Sequence, residues 1–384
     1  MPKQCLSLFT STPIIQEVVN VYNQIVPLEQ MYIATGEHLH SHFKKILQKV
    51  KYVIEPTAKN TAACIGLSLA EIKKEVDDDV VIIATADHIF RDPQSYKKHL
   101  EIAVQLAEQG NIVQLGITPS RIETGFGYIE LGEKLHDVDT IETYKVASFK
   151  EKPDFNVAKK YVDSGRFLWN SGIFISKISV LMGEFQRFLP NLHSGLQRIM
   201  QEKYDSKIIV EVFDSLESIS IDYGIIEKTR KTVMIKGTFP WDDIGDWASL
   251  ERVFPRDEHK NIVLGSHSGT AKNCIIYGER RNIITDTTEE LIIVDTEDAT
   301  LVCDKDRAQD VKKIVDLLIN ADLKAYTEDL VKKYSHHNIS IDTENCSVES
   351  DGVVALIGVT NIDLVRTKDS LIIKEGFEED DESG

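Results

Sequence analysis

Val80-Val81-Ile82-Ile83-Ala84-Thr85-Ala86-Asp87-His88 reads as a buried strand that ends on a polar turn. The run is apolar and β-branched without alternation, as expected for a strand whose sheet is covered by helices on both faces. The pattern therefore predicts a central strand over 80–85. The segments around it alternate in kind. Residues 31–35 and 52–56 read as strands, and residues 37–50 between them as a helix. Asn60-Thr61 is expected to cap a helix running to about Glu75, with Ile65, Leu69 and Ile72 on its apolar side. A helix over 95–109 leads into a strand at 111–116. This βαβα rhythm predicts an α/β fold with a mostly parallel sheet and helices on both faces.

From about residue 260 helical periodicity gives way to short strands and turns, interrupted by a predicted helix at about 307–320. A second strand-rich stretch at 345–375 repeats the first. Asn273-Cys274 is echoed by Asn345-Cys346, a spacing of 345 − 273 = 72. Leu291-Ile292-Ile293-Val294-Asp295-Thr296-Glu297-Asp298 is echoed by Ile362-Asp363-Leu364-Val365-Arg366-Thr367-Lys368-Asp369, a spacing of 362 − 291 = 71. Stacked short strands of this kind suggest a small β-helix-like coil. The expected organisation is one large domain at 1–258, a strand-rich domain at 259–375, and a solvated acidic tail at 376–384.

Composition narrows the function. The 384 residues carry a formal net charge of −18, which argues against a general nucleic-acid binder with a basic stripe. A nucleotide substrate stays compatible, because a small site can be locally positive or recruit a metal. The five cysteines, Cys5, Cys64, Cys274, Cys303 and Cys346, are scattered without a C-x-x-C pair. That spacing argues against a disulfide framework or a zinc knuckle. No apolar run is long enough to span a bilayer, and the first residues lack a signal pattern. A cytoplasmic protein with no membrane partner is expected.

Five places could carry chemistry. Ala86-Asp87-His88 follows the predicted central strand at its carboxyl end, the edge where open α/β sheets bind ligands. A carboxylate there can hold Mg²⁺ with substrate phosphates, or can simply cap a turn; His88 is expected to be structural. Trp241-Asp242-Asp243-Ile244-Gly245-Asp246-Trp247 concentrates acids that repel unless solvated or bound to a cation. Phe149-Lys150-Glu151-Lys152-Pro153 offers a lysine suited to a phosphate, or a plain surface turn. Glu123-Thr124-Gly125-Phe126-Gly127-Tyr128 has two glycines that permit close backbone approach, or a tight hairpin. Trp169-Asn170-Ser171-Gly172 reads as a turn before a strand, able to bind sugar hydroxyls or only to reverse the chain.

Each signal is weak alone; their order is specific. Glu55-Pro56 with Asn60-Thr61-Ala62, then Ala86-Asp87-His88, the Glu123–Ile129 stretch, Glu151-Lys152-Pro153 and Leu168-Trp169-Asn170-Ser171-Gly172 follow one another. Ser220-Ile221-Asp222-Tyr223 with Glu227-Lys228, and Trp241-Asp242-Asp243-Ile244-Gly245-Asp246-Trp247, complete the series. Together they resemble the motif series of the bacterial mannose-1-phosphate guanylyltransferases, from Pro2-Lys3-Gln4 to about Val315. The resemblance implies a Rossmann-like nucleotidyltransferase fold followed by a short β-helix. It implies attack of mannose 1-phosphate on the α-phosphorus of GTP, forming GDP-mannose and pyrophosphate. It places Mg²⁺ on Asp87 and Asp243, the sugar phosphate on Lys152, and the sugar on Glu151, Gly125 and Asn170. Asn60 and Thr61 would lie near the nucleotide, and Lys3 would face the triphosphate. The residue types suit such a transfer, which needs positioning and charge neutralisation and no nucleophilic side chain.

The family opens with a strand and a G-G-x-G-x-R loop shortly before Pro-Lys-Gln, and this sequence contains no such loop. Two expectations follow: a start upstream of Met1, or a truncated copy with little catalysis. A catalytically impaired homologue serving as a sugar-nucleotide-binding or regulatory subunit is the alternative function, and a related enzyme with another sugar or base is a further one. No histidine-rich metal motif follows residue 338, so an added isomerase activity is not expected. Monomer and homo-oligomer are both compatible with the sequence.

Overall fold

A computed structural model describes residues 3–8, 12–135, 137–245, 247–297, 299–311, 313, 338–350 and 352–375. The chain packs as two units, one up to Trp241 and one from Asp242 onward. The expected domain boundary, 258/259, lies further along the chain. The acidic tail at 376–384, and most of the helix expected over 307–320, lie outside the described residues; within them, Lys305–Asp310 is a 3₁₀ turn.

The first unit contains β1 (Tyr32–Gly36), β2 (Lys51–Glu55), β3 (Val80–Ile83), β4 (His88–Phe90), β5 (Ile112–Ile117), β6 (Tyr128–Lys134), β7 (Thr143–Lys150), β8 (Phe167–Lys177) and β9 (Thr232–Gly237). Strands β1 and β2 pair in parallel. The main sheet has the order β3-β8-β5-β9-β7-β6. Its pairings make β3, β5, β9 and β6 run one way and β8 and β7 the other. The α/β expectation holds, and the shared direction of β3, β5 and β9 is its parallel element. The placement of the run at 80–83 is a correction. It forms an end strand of the six-stranded sheet, pairs with β8 alone in that sheet, and is partly exposed along its length. Its β-branched character reflects packing of Val81 and Ile83 on the main core, which edge position does not prevent.

Local rules explain most helix ends. Pro93–Glu108 starts where the Asp92 carboxylate accepts from Ser95 N at 3.0 Å, with proline in the first turn. Phe155–Ser164 starts on Asp154, which accepts from Asn156 N and Val157 N, and stops at Gly165 with φ 65°. Asn60–Ile72 departs from expectation. Asn60 has φ 65°, and its side chain accepts from the adjacent Thr61 N rather than from a later amide of the first turn. The carbonyl of Ile219 receives the Ala62 amide at 3.2 Å instead, so a distant segment satisfies this helix start.

The second unit begins with Asp242 of the short strand β10 (Trp241–Asp243), and β11 (Ile262–Leu264) follows. Its later strands fall into two sets of five that follow the echoed sequence. The first copy is β12 (His267–Lys272), β13 (Ile275–Gly278), β14 (Asn282–Glu289), β15 (Leu291–Asp295) and β16 (Ala299–Asp304). The second is β17 (Asn338–Ile341), β18 (Ser347–Ser350), β19 (Val353–Ile357), β20 (Ile362–Arg366) and β21 (Ser370–Glu375). One sheet has the order β11-β13-β15-β16-β19-β17 and the other β12-β14-β21-β20-β18. Leaving β11 aside, exchanging each strand for its counterpart turns one sheet into the other read backwards. The registers agree: Leu291 faces Asp304 and Ile362 faces Glu375, with 362 − 291 = 71 and 375 − 304 = 71. The last strand of each copy crosses over, β16 to β19 and β21 to β14.

The echoed asparagines have matching conformations, φ 52° at Asn273 and 49° at Asn345, a region asparagine tolerates better than most residues. At equivalent positions of β15 and β20 the copies diverge to opposite charges. Asp295, fully buried, receives Arg366 Nε at 3.3 Å, Arg281 Nη1 at 3.0 Å and Thr300 Oγ1 at 2.6 Å. All five cysteines are free. Among the described residues no helix is long and apolar enough to cross a membrane.

Candidate active site

The residues expected on the sugar side come together in the first unit. Glu151 and Asn170 are each 8% exposed, so neither belongs to a plain surface turn. Asn170-Ser171-Gly172 is not a turn before a strand; it lies inside β8. Gly116 pairs with Asn170 and Gln114 with Phe174, so β8 spends 174 − 170 = 4 residues where β5 spends 116 − 114 = 2. The bulge uses Gly172 at φ 70°, and the Asn170 side-chain oxygen accepts from Gly172 N at 3.1 Å. Bulges of this kind re-aim side chains next to functional sites.

The glycine loop between β5 and β6 clamps both neighbours through its backbone. Lys152 N donates to Phe126 O at 3.2 Å and Asn170 N to Gly127 O at 2.8 Å. It is no hairpin, since β5 pairs with β8 and β9 and not with β6. Of its two glycines, the expected Gly125 is held by its own loop, its N–H donating to the Glu123 carboxylate at 3.0 Å. Gly127 makes the close approach. A Cβ there would stand 2.5 Å from Glu151 Oε2 and 2.8 Å from the Phe149 ring. Arg121 steadies the loop, bonding Glu123 at 3.0 Å and lying 4.9 Å from the Trp169 ring centroid. Lys152 has φ 44°, and its ammonium is 3.5 Å from Glu151 Oε1.

The third component is a single π-helical turn, Asp222–Ile226, closed by Glu227 N donating to Asp222 O at 2.9 Å. Asn170 Nδ2 donates to Asp222 Oδ1 at 3.1 Å, and Glu151 N donates to Glu227 Oε1 at 3.0 Å. Ile221, just before the turn, donates its N–H to Thr61 Oγ1 at 2.9 Å. The turn therefore ties Thr61, one of the two residues expected on the nucleotide side, to the sugar-side pair. Asp222, Glu227 and Gly127 stand in the motif series, yet sequence reasoning assigns them no individual roles; helical turn type and glycine facing leave no mark in residue spacing.

Burial pushes the Glu151 carboxyl up to about 7, with the neighbouring Asp222 adding to the rise and Lys152 opposing it. Burial also raises Asp222. A carboxyl raised from 4.5 to about 7 holds its proton longer in the folded protein, so its share of stability is present below about pH 4.5 and lost as pH rises through about 7. Glu151→Gln removes this dependence. Its thermal midpoint, relative to the unsubstituted protein, is expected to rise as pH increases across that window; a constant difference would show that Glu151 is an ordinary carboxylate.

The remaining expected residues are placed as follows. Asp87, partly exposed, occupies the bend between β3 and β4. His88 beside it is buried and structural, its Nδ1 accepting from Trp241 Nε1 at 3.3 Å. Trp241 also packs edge-on against Phe126 of the glycine loop. Asp243 belongs to the second unit. There Arg252 bonds both oxygens of Asp242, at 2.9–3.2 Å, and the carbonyl of Asp243. The acid cluster is thus partly neutralised from within, the Asp242 carboxylate accepting from Arg252. Lys3 falls in the turn Lys3–Cys5, and its side chain is outside the described part. Among the described residues no group of three or more His, Cys, Asp or Glu side chains is placed to hold a metal.

Residues 1–260 match the nucleotidyl transferase family, and residues 270–318 match the MannoseP isomerase/GMP-like β-helix domain. A putative mannose-1-phosphate guanylyltransferase of Vibrio cholerae serotype O1 is 33% identical over 85% of this chain and 72% of its own length. The chain belongs to the mannose-1-phosphate guanylyltransferase family. A Salmonella muenchen member is 34% identical over 83% of this chain and 68% of its own. A crystal structure described as a mannose-1-phosphate geranyltransferase from Thermus thermophilus superposes with a TM-score of 0.74 at 32% identity, covering 83% of this chain and 92% of that one. The matched β-helix domain begins within β12 and covers the rest of the first strand copy; β17–β21 lie beyond it.

Proposed function

We propose that the protein forms GDP-mannose and pyrophosphate from GTP and mannose 1-phosphate. Family membership supports nucleotidyl transfer to a sugar phosphate. The observation that carries the sugar side is the convergence of buried Glu151 and Asn170 with Lys152 on a glycine loop that leaves no room for a side chain at Gly127. A phosphate oxygen of mannose 1-phosphate forms a bond to the α-phosphorus of GTP. The bond to the β-phosphate oxygen breaks, and pyrophosphate leaves with that electron pair.

The chain's own groups supply position and charge. Lys152 holds the sugar phosphate, while Glu151 and Asn170 bond sugar hydroxyls. A carboxyl near its midpoint at neutral pH can accept from one hydroxyl or donate to another. Gly125 lets the loop backbone lie close to the sugar. Asn60 and Thr61 flank the nucleotide, and Lys3 faces the triphosphate. Asp87 and Asp243 offer hard carboxylate oxygens, which fit Mg²⁺; the bound ion would neutralise charge on the phosphates. We place the reaction in the cytoplasm, with no nucleic-acid or membrane partner, and with a homo-oligomer as a compatible state.

The direct test is incubation of the purified chain with GTP, mannose 1-phosphate and Mg²⁺, with chromatography of the product. GDP-mannose is the expected product; sugar-nucleotide binding without turnover would favour the regulatory-subunit reading. Lys152→Ala is expected to raise the KM for mannose 1-phosphate by about tenfold or more, as loss of a charged hydrogen bond implies, with a smaller change for GTP. Equal changes in both would remove Lys152 from the sugar phosphate.

A further inference from the structure

We infer that Asp222 and Glu227, presented together by the π-turn, are positioning residues that hold Asn170 and Glu151 in place for the sugar phosphate. This rests on the proposed function and deepens it. In an α-helix, residues five apart point about 140° away from each other, from the ~3.6-residue period. Widening the turn to an i→i+5 hydrogen bond brings Asp222 and Glu227 onto one side. Each then meets a different member of the sugar pair: Asp222 takes the Asn170 amide, and Glu227 takes the Glu151 backbone N–H. π-Turns are rare and recur at functional sites.

The bonding pattern shows what the turn controls. Asn170 has its oxygen committed to Gly172 N and one amide hydrogen committed to Asp222. Its rotamer is therefore fixed, and one amide hydrogen remains for a ligand. Glu151 is held by Glu227 at its backbone N–H, and its carboxylate lies close against Gly127. Thr61 anchors the entry to the turn through Ile221 N. Three acids, Glu151, Asp222 and Glu227, stand close together, with Lys152 beside Glu151 and Lys150 3.9 Å from Glu227. Clustering like charges in a partly buried place opposes folding, and such costs concentrate where function needs the geometry.

The test compares Asp222→Ala, Asp222→Asn and Glu227→Gln with the unsubstituted full chain. Asp222→Ala is expected to raise the KM for mannose 1-phosphate about tenfold, the order of one lost charge-assisted hydrogen bond, with the KM for GTP within about twofold. Asp222→Asn keeps an oxygen for the Asn170 amide and is expected to recover most of that loss. Glu227→Gln keeps its acceptor and should behave like Asp222→Asn. Carboxyl ¹³C NMR without ligand supplies the second arm. Removing the Asp222 charge should lower the Glu151 midpoint, which Lys152 and Glu227 otherwise frame. Equal changes in both KM values, no recovery by asparagine, or an unmoved Glu151 midpoint would overturn the assignment. A protein that turns over no mannose 1-phosphate would sink the functional reading, and the NMR titration would still decide whether Asp222 acts on Glu151.

Discussion

Asp87→Asn and, separately, Asp243→Asn are expected to lower turnover by about 10²–10³-fold while leaving the thermal midpoint nearly unchanged, the scale on which removing one preorganised electrostatic group acts. Each substitution is isosteric and removes a negative charge that the proposed Mg²⁺ site needs. Both positions are partly exposed, so little folding energy rests on either charge. Asp242→Asn is the informative comparison. Its carboxylate already bonds Arg252, so its loss should alter turnover only a few-fold. Steady-state rates over a Mg²⁺ titration check all three. Normal turnover in Asp87→Asn or Asp243→Asn would remove that residue from the metal, and a large loss in Asp242→Asn would reassign it.

Asp295→Ala is expected to destabilise the second unit by about 3–5 kcal/mol, the cost of breaking a buried ion pair by deleting one partner. The carboxylate is fully buried and serves Arg281, Arg366 and Thr300 at once. Removing it takes a buried counter-charge from Arg366, whose guanidinium also donates to the carbonyls of Thr296 and Glu297. Hydrogen exchange of the amides in β15 and β20 is the appropriate readout, because it reports on this unit separately from the first. Protection lost in those strands alone is the expected result. Unchanged exchange would mean that the two copies are held by apolar packing and that the charges are incidental.

The path from sequence to site was uneven for physical reasons. The alternating rhythm of the first unit and the 71–72-residue repeat of the second are periodic, and periodicity survives in a sequence. The edge position of β3 did not show, because Val80-Val81-Ile82-Ile83 has the same composition at an edge as in a centre when one face still packs on the core. Asn170-Ser171-Gly172 has turn composition because a bulge and a turn both need a residue at positive φ. Gly125 and Gly127 were equivalent as letters, and only the Glu151 carboxylate beneath Gly127 separates them. Asp222 and Glu227 lie five apart, a spacing that an α-helix would have scattered.

The crossing of β16 and β21 between the two copies sets a limit on when the second unit can take shape during synthesis. The first copy leaves the ribosome with β14 paired to β12 and β16 to β15, each still lacking its second neighbour, β21 and β19. Neither sheet can finish until residues 353–375 have emerged, so these long-range pairings form last and expose their edges in the interval. A nascent chain stalled between the copies would therefore present two open strand edges to chaperones, however well its first unit had already folded.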